Sequence, residues 1–410
     1  MKILFVNSFY APDLVGGAEV VLQSLVEGIA SQGIGVAVLT TTNRPGLYRE
    51  EINGIPVWRA GLRNLYWHKP SARSPLFLSR QIWRVLDIYN PLMRRFVADV
   101  VEAEKPSVVS VHNLAGWSAS AWSVLLNKGV PVVQVLHDYQ LMCRGLMFRR
   151  GTDCRTQCSG CSLMRLPHKQ MSRHLSGVIG VSCSVLERLV DAGYFKGVSE
   201  KVVVHNARSR EELGGEFAGF EEQQAHTPFR FGYIGALAPH KGIEILIRSY
   251  AQTPPLNTEL WIAGEGGGEY TSKLNEMAKG APIKFVGKAA AAEFLRSVDV
   301  VVVPSLWNEP LGTVVIEAMA FGKPVIASLV GGNPEMITDG VNGLLFKADS
   351  PNEMLSAMQR LSTDKTLCKR MGTEAKRSSH CFMNRQRFVE EHLNVYRSAE
   401  KNSTYTPKLS

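Results

Sequence analysis

Residues 298–320, VDVVVVPSLWNEPLGTVVIEAMA, decide the fold, because an apolar run leads through a short polar loop into a run of helix-forming residues. The run 298–303 has Asp299 as its single charge and predicts a buried parallel strand. Residues 313–321 predict a helix, since Glu317, Ala318 and Met319 are good helix formers. A buried strand followed closely by a helix is typical of an α/β domain with a parallel sheet.

Two acidic residues and a helix start lie together in this stretch. Glu309 falls on the predicted loop, and Glu317 falls about 7.5 Å further along the axis of the predicted helix. Between them, the backbone amides of Gly312 and Thr313 predict an anion site at the helix N-terminus. This arrangement suits a ligand with a diphosphate in the middle and a polyol at each end, such as a nucleotide sugar. The alternative is a solvated helix face with one charge favoured by the helix dipole.

Strands alternate with helices along the rest of the chain. Short apolar runs predict further strands at 2–7, 35–40, 107–111, 130–136, 178–181, 201–204, 229–234, 259–263, 283–286 and 324–327. Because 410 residues are too many for one ordinary core, we expect two Rossmann-like, doubly wound α/β domains facing across a cleft. We predict a first domain at 1–206 and a second, nucleotide-sugar-binding domain at 207–380. A helix at 381–400 is expected to pack back on the first domain, and a disordered tail is expected at 401–410.

Composition and charge limit the class of protein. The chain is 45% hydrophobic and 20% charged, which is typical of a globular protein, and its net charge of +9 favours anionic partners. The sequence contains no RNA- or DNA-binding motif, so we expect no nucleic-acid partner. It also contains no signal peptide and no run of about twenty apolar residues. These features predict a cytoplasmic protein.

Residues 304–335 add two glycine turns in register with the Glu309 loop, GKPVIAS at 322–328 and GGNPE at 331–335. Together they closely resemble the signature of family-4 retaining glycosyltransferases of the GT-B fold. The resemblance implies a hexosyltransferase that moves a sugar from a UDP- or GDP-sugar donor to a glycan or lipid-linked acceptor. It also implies assembly of envelope polysaccharide or lipopolysaccharide as the setting. The sequence contains no D-x-D stretch, so we expect catalysis without a metal cofactor.

The resemblance implies roles for residues of the second half. Glu309 would hold hydroxyls of the donor sugar, as a catalytic residue, and Glu317 would accept hydrogen bonds from the ribose. Lys241 and the amides of the helix start would stabilise the diphosphate leaving group. The complete donor-binding set in this half is Lys241, Glu309, Leu311, Gly312, Thr313 and Glu317.

The resemblance also implies roles for residues of the first half. The paired glycines Gly16 and Gly17 resemble a loop that reaches over the donor diphosphate or the acceptor. His137, after the apolar run 130–136, resembles the strand-end histidine that contacts the donor sugar near its anomeric carbon, which makes it the second catalytic candidate. His112 would line the same cleft from the acceptor side.

One position departs from the family pattern. Ala236 occupies the place where the family usually has an Arg facing the diphosphate, whereas Lys241 matches the family lysine. Loss of a charge-assisted phosphate contact costs about 1.5–3 kcal/mol. Arg208 and His240 are the candidates to replace the missing cation.

Four cysteines fall close together in the first half. Cys143, Cys154, Cys158 and Cys161 follow the pattern C-x10-C-x3-C-x2-C. Disulfides are not expected in the cytosol, so the alternatives are a structural Zn²⁺ site, with a spacing unlike a zinc ribbon, or free thiols. A subset of the family carries a similar cysteine-bearing loop after the His-Asp motif, which is His137-Asp138 here.

The stretch 59–95 is basic and aromatic, with Tyr66, Trp67, Phe77, Trp83 and Tyr89 among several Arg and Lys residues. Such a surface can lie on the anionic inner face of the plasma membrane, as in a peripheral membrane protein, or contact a lipid-diphosphate acceptor. The alternative is a half-buried helical insert with the aromatic residues in its core.

Other activities fit the same architecture. A nucleotide-sugar epimerase or a phosphorylase would use a similar donor site, and a non-catalytic sugar-nucleotide-binding protein would explain the loss of the Arg at Ala236. An epimerase would convert the donor without any acceptor, which separates it from a transferase.

Overall fold

The chain divides into two compact units. The computed structural model describes residues 1–69, 76–143, 145, 147–149, 151–209, 211–214 and 226–402. The first unit comprises 1–147, 154–206 and the chain from Arg385 onward, and the second comprises 148–153 and 207–384. The short segment 148–153 therefore belongs to the second unit, although the chain on both sides of it belongs to the first.

The first unit is built on a mostly parallel sheet of eight strands. The strands of the first half of the chain are β1 (Lys2–Val6), β2 (Gly35–Thr42), β3 (Leu47–Ile52), β4 (Ile55–Gly61), β5 (Val108–Val111), β6 (Val132–Leu136), β7 (Phe148–Arg149), β8 (Thr152–Asp153), β9 (Gly177–Gly180) and β10 (Glu200–Val203). The sheet order is β10-β9-β6-β5-β1-β2-β4-β3, with β3 antiparallel to β4, whereas β7 and β8 form a separate antiparallel hairpin. This order reverses direction at β1, as in doubly wound folds.

The second unit is built on a parallel sheet of six strands. These are β11 (Phe229–Ile234), β12 (Thr258–Ala263), β13 (Ile283–Gly287), β14 (Val300–Val303), β15 (Val325–Ser328) and β16 (Gly343–Phe346), in the order β13-β12-β11-β14-β15-β16. All four valines of β14 are buried between β11 and β15, which explains their unbroken apolar run.

Helices follow most of these strands. Those of the first unit are α1 (Gly17–Ala30), α2 (Phe77–Leu86), α3 (Arg94–Glu104), α4 (Ser118–Asn127), α5 (Ser159–Met164), α6 (Leu166–Met171) and α7 (Cys183–Asp191). The second unit has α8 (Ile243–Gln252), α9 (Gly268–Met277), α10 (Ala291–Arg296), α11 (Thr313–Ala320), α12 (Asn333–Met336), α13 (Pro351–Thr363) and α14 (Lys365–Ser379). The last helix, α15 (Arg385–Asn402), packs on α1, β5 and β6 of the first unit. Across the described part of the chain, none of these helices is long and apolar enough to span a membrane.

The structure corrects the expected ends of two segments. The last helix begins at Arg385 and continues through Asn402, so Lys401 and Asn402 are helical and the tail expected at 401–410 does not begin before residue 403. Residues 403–410 lie outside the described residues. Helix α14 ends at Ser379, and a short turn precedes the last helix.

Candidate functional site

Glu309 lies on the loop between β14 and α11 and is 8% exposed. Its Oε1 accepts a hydrogen bond from Lys241 Nζ, and its Oε2 accepts one from Ser305 Oγ at 2.7 Å. Gly312 is the N-cap of α11, and a Cβ added to it would lie 3.5 Å from Cδ of Glu309. The carboxylate and the Lys241 ammonium therefore meet beside the N-terminus of α11, where the first backbone amides have no partner within the helix.

The charge of Glu309 is stabilised by its partners. Burial alone would raise the pKa of this carboxyl, but the positive charge of Lys241 and the hydrogen bonds from Lys241 and Ser305 together hold the pKa below its usual value. Glu309 is thus ionised at neutral pH, and a carboxylate accepts stronger hydrogen bonds from hydroxyl groups than the neutral acid does. Ser305, four residues before Glu309, was missed by the sequence analysis.

Two glycines hold the Glu309 loop in place. Gly331 has φ +58°, and a Cβ there would lie 2.0 Å from the carbonyl oxygen of Glu309, while a Cβ on Gly332 would lie 2.3 Å from that of Pro310. The Gly332 amide donates to the Glu309 carbonyl at 2.8 Å. The GGNPE motif is therefore a packing surface for the loop that carries Glu309.

The β7–β8 hairpin also contacts this loop. Asp153 Oδ2 accepts a hydrogen bond from Asn308 Nδ2 at 2.9 Å, and Asn308 Oδ1 accepts one from the Gly331 amide at 3.1 Å. No sequence signal linked Asp153 to Asn308, because the two residues are 155 positions apart.

Lys241 ends the turn between β11 and α8, beside aromatic rings. Its Nζ lies 5.7 Å from the centre of the Trp307 ring, and His240 packs edge-on against the same ring at 5.2 Å. Burial and then the charge of Lys241 lower the pKa of His240. His240 is therefore neutral at pH 7 and does not replace the permanent cation missing at Ala236.

Glu317 lies on α11 and is 8% exposed. Its Oε1 lies 3.2 Å from Nε of Arg208, whose Nη1 also lies 2.9 Å from Oε2 of Glu212. Burial raises the pKa of Glu317 more than the charge of Arg208 lowers it. The Arg208 guanidinium is thus paired with the predicted ribose-binding carboxylate. The same helix begins with the half-buried Thr313, and the buried Leu311 precedes its cap.

Gly16 and Gly17 lie at the N-terminus of α1 in the first unit, and both are exposed. The Gly16 amide donates to Glu19 Oε2 at 2.8 Å. This hydrogen bond fixes the start of α1, and the absence of side chains leaves the backbone open to a ligand.

His137 follows β6 in the first unit and is half-buried. Its Nε2 is 2.8 Å from Nδ1 of His112, which follows β5 and is buried, and the two rings stack with centres 5.1 Å apart. The two histidines that sequence analysis assigned to opposite substrates are therefore in direct contact.

The four predicted zinc ligands are only partly brought together. Cys143 and Cys161 are buried with their Sγ atoms 3.6 Å apart, close to the separation of about 3.8 Å between thiolates on one tetrahedral Zn²⁺. Cys154 is half-buried and Cys158 is exposed. Within the described residues, no group of three or more His, Cys, Asp or Glu side chains is arranged to hold a metal ion. The structural zinc stays a prediction, which metal analysis of the purified protein will check.

Both halves of the chain match glycosyltransferase families. Residues 16–207 match the family described as glycosyl transferase 4-like domain, and residues 216–378 match glycosyl transferases group 1. Among curated relatives, an uncharacterised 42.6 kDa protein in the cps region of Klebsiella pneumoniae is 27% identical over 82% of this chain and 87% of its own length. The lipopolysaccharide core biosynthesis glycosyltransferase LpsE of Rhizobium meliloti is 25% identical over 87% of this chain and 88% of its own.

Solved structures share the fold over nearly the whole chain. Sucrose-phosphate synthase from Thermosynechococcus elongatus superposes with a TM-score of 0.75 at 20% identity, covering 98% of this chain and 99% of that one. Anabaena HepE in complex with UDP and glucose superposes with a TM-score of 0.68 at 21% identity, covering 97% and 100%. The fold is GT-B, with two Rossmann-like domains. The matches over both halves of the chain support a family-4-type GT-B glycosyltransferase.

Proposed function

We propose that the protein is a retaining hexosyltransferase that moves a sugar from a nucleotide-sugar donor to a glycan or lipid-linked acceptor in envelope polysaccharide assembly. The observation that carries the proposal is the contact of the half-buried Lys241 with the buried Glu309 and Ser305 at the N-terminus of α11. The relatives named for a cps region and for lipopolysaccharide core biosynthesis support the acceptor class. The HepE complex with UDP supports a uridine donor.

Each group of the site then has a chemical task. Lys241 turns from Glu309 to the donor diphosphate, where its charge and the α11 amides stabilise the leaving group. The freed Glu309 carboxylate accepts hydrogen bonds from hydroxyls of the donor sugar, and Glu317 accepts them from the ribose. His137 donates a hydrogen bond to the sugar near its anomeric carbon. The departing phosphate assists attack by the acceptor hydroxyl from the same face, so the anomeric configuration is retained and no metal is needed.

A thermal-shift panel of UDP-, GDP-, ADP- and dTDP-sugars tests donor binding. A selective donor stabilises the folded protein by mass action and so raises the melting temperature. At a hundredfold excess over Kd the gain in the free energy of unfolding is about 2.7 kcal/mol. We expect a shift with one uridine or guanosine donor. Absence of a shift with every donor would contradict the proposal.

Variants at Glu309 test catalysis. Glu309→Gln removes the charge that receives the sugar hydroxyls, and we expect transfer to fall at least a hundredfold. Glu293→Gln is the matched control, because Glu293 is an exposed acid in the first turn of α10 in the same unit. Product NMR in the presence of an acceptor reports the anomeric configuration. Donor conversion without acceptor would identify an epimerase instead.

We propose further that the protein is a peripheral membrane protein that docks on anionic lipid through α2. The apolar side chains Leu76, Phe77, Leu78, Ile82, Val85 and Leu86 are exposed on α2 and its N-cap. The opposite face is anchored, because Trp83 is buried and its Nε1 donates to the Tyr66 carbonyl at 2.9 Å. Of the aromatic residues in this stretch, Phe77 and Tyr89 are exposed to solvent, whereas Trp83 is buried.

The charge around α2 complements an anionic surface. Residues 76–95 contain four arginines, and Asp87, their single acid, is buried. An interfacial helix with an apolar face and basic neighbours binds anionic bilayers. Residues 70–75 of the same basic stretch lie outside the described residues. Flotation with liposomes tests the proposal: we expect binding to vesicles with phosphatidylglycerol, and absence of binding at low salt would overturn it.

A further inference from the structure

A continuous chain of hydrogen bonds runs behind His137. Tyr396 on α15 places its hydroxyl 2.8 Å from Oγ of Ser110 on β5. Ser110 Oγ is 3.0 Å from Nε2 of His112, and Nδ1 of His112 is 2.8 Å from Nε2 of His137. All four residues belong to the first unit, and the chain connects the last helix of the protein to the residue that follows β6.

The two imidazoles of this chain are neutral at pH 7. Burial lowers the pKa of His137 to about 4, and burial with the neighbouring His137 and His392 lowers that of His112. A neutral imidazole has one N–H donor and one bare nitrogen acceptor. Across each imidazole the direction of one hydrogen bond therefore fixes that of the next, whereas the Ser110 hydroxyl can donate one hydrogen bond and accept two.

Three arrangements are available. In the first direction, Tyr396 donates to Ser110, Ser110 to His112 Nε2, and His112 Nδ1–H to His137 Nε2. His137 then carries its proton on Nδ1. In the second direction every bond is reversed, His137 carries its proton on Nε2, and the Tyr396 hydroxyl accepts from Ser110. In the third arrangement Ser110 accepts from both Tyr396 and His112 Nε2, and His137 again carries its proton on Nε2.

The two buried hydroxyls decide between these arrangements. Tyr396 is fully buried, and Ser110 is the sole hydrogen-bond partner of its hydroxyl among the described residues. In the second direction the Tyr396 proton would have no acceptor, and in the third arrangement the proton of the buried Ser110 would have none among these residues. An unsatisfied buried donor costs about 1–3 kcal/mol. In the first direction every proton has an acceptor, and the phenol leaves only lone pairs unused, which is better tolerated.

We propose that Ser110 and His112 are positioning residues that hold His137 as the Nδ1–H tautomer. Nδ1 of His137 has no partner among the described residues, so its proton is free to be donated to a ligand oxygen. That ligand is the donor sugar, which is the single part of the inference that rests on the proposed function. His112 is thereby assigned a role behind the catalytic histidine, not at the acceptor.

NMR of the free protein labelled with ¹⁵N-histidine tests the tautomer. Long-range ¹H–¹⁵N spectra distinguish a protonated from a bare ring nitrogen, and the spectra of His112→Asn and His137→Asn assign the signals. We expect both His112 and His137 to be Nδ1–H tautomers. A His137 signal of the Nε2–H form would overturn the proposal, whether or not the protein turns over a nucleotide sugar.

A matched pair of serine variants tests the cause. Ser110→Ala removes the hydroxyl that donates to His112 Nε2, so we expect signals of the Nε2–H tautomer of His137 to appear. We also expect kcat to fall about tenfold with KM for the donor unchanged. Ser172→Ala is the control, because Ser172 is equally buried in the first unit and its hydroxyl donates to the Lys169 carbonyl at 2.8 Å. Equal effects of the two variants, or an unchanged tautomer in Ser110→Ala, would refute the role of Ser110.

Discussion

Two glutamates of the second unit are equally buried, yet their surroundings act on them in opposite ways. Glu309 and Glu317 are each 8% exposed. Lys241 and Ser305 keep the pKa of Glu309 below its usual value, whereas burial raises that of Glu317 in spite of Arg208. The ionised form of Glu309 is thus favoured in the free protein, and that of Glu317 is disfavoured. A buried carboxylate retained at an energetic disadvantage is typical of a binding site.

Glu317→Gln is expected to stabilise the free protein. The pKa of Glu317 is raised in the folded state. Its contribution to stability is therefore most favourable below the unfolded-state pKa of about 4.3, and it declines as the pH rises through the folded-state pKa. The amide removes this disadvantage at pH 7, and Arg208 keeps Glu212 as a partner. We expect a higher melting temperature and a smaller shift with the donor. A melting temperature below that of Glu293→Gln would contradict the prediction.

At the scale of elements, the loop between β14 and α11 depends on two packed glycines. Gly331→Ala places a methyl group 2.0 Å from the Glu309 carbonyl oxygen at a residue with φ +58°. We expect a loss of stability of about 2 kcal/mol or more and loss of the thermal shift with the donor. Gly340→Ala is the control for backbone strain alone, since Gly340 has φ +76° and no atom within 4 Å of an added Cβ. Similar donor shifts in the two variants would show that the loop is not displaced.

Helix α2 gives a prediction for the membrane surface. Phe77 is 70% exposed, and Phe77→Glu adds a charge to the apolar face that we propose enters the lipid. Leu256→Glu is the matched control, because Leu256 is 96% exposed in the second unit and the change in net charge is the same. We expect Phe77→Glu to lower the bound fraction in flotation at least fivefold. Equal loss in both variants would assign binding to net charge instead of α2.

The elements that sequence could predict are those with an unbroken burial pattern. The apolar run before Pro304 predicted β14, and the run after Gly312 predicted α11, because both are packed on all sides. Strands β3, β4, β7, β8 and β16 were missed. The apolar residues of β4, IPVWRAG, are interrupted by Pro56 and Arg59. β3, LYREEI, is an exposed edge strand, and β16, GLLF, is only four residues long. Apolar periodicity is weak in both cases.

In the candidate site, too, the sequence pattern could predict only residues that lie close together along the chain. The local sequence pattern identified Glu309, Gly312 and Glu317, because they lie on one strand–loop–helix segment. The partner of Glu309, Lys241, was found by resemblance alone, and its ion pair with Glu309 spans 68 positions. The stacking of His112 on His137 depends on the neighbouring strands β5 and β6 ending at the same edge of the sheet. Spacing along the chain contains no signal for such a contact.

At the scale of the whole molecule, the net charge of +9 acts before any specific contact forms. A positive protein is attracted to an anionic bilayer over distances set by the Debye length, about 10 Å at 0.1 M salt and about 3 Å at 1 M. Insertion of the apolar face of α2 is not screened in this way. We therefore expect the fraction of protein bound to anionic vesicles to fall steeply between about 0.05 and 0.5 M NaCl. Above that range we expect a constant residual fraction, which Phe77→Glu abolishes. Neutral phosphatidylcholine vesicles are the control and should bind only this residual fraction. Binding that is independent of salt, or as strong to neutral as to anionic vesicles, would exclude electrostatic attraction as the first step of docking.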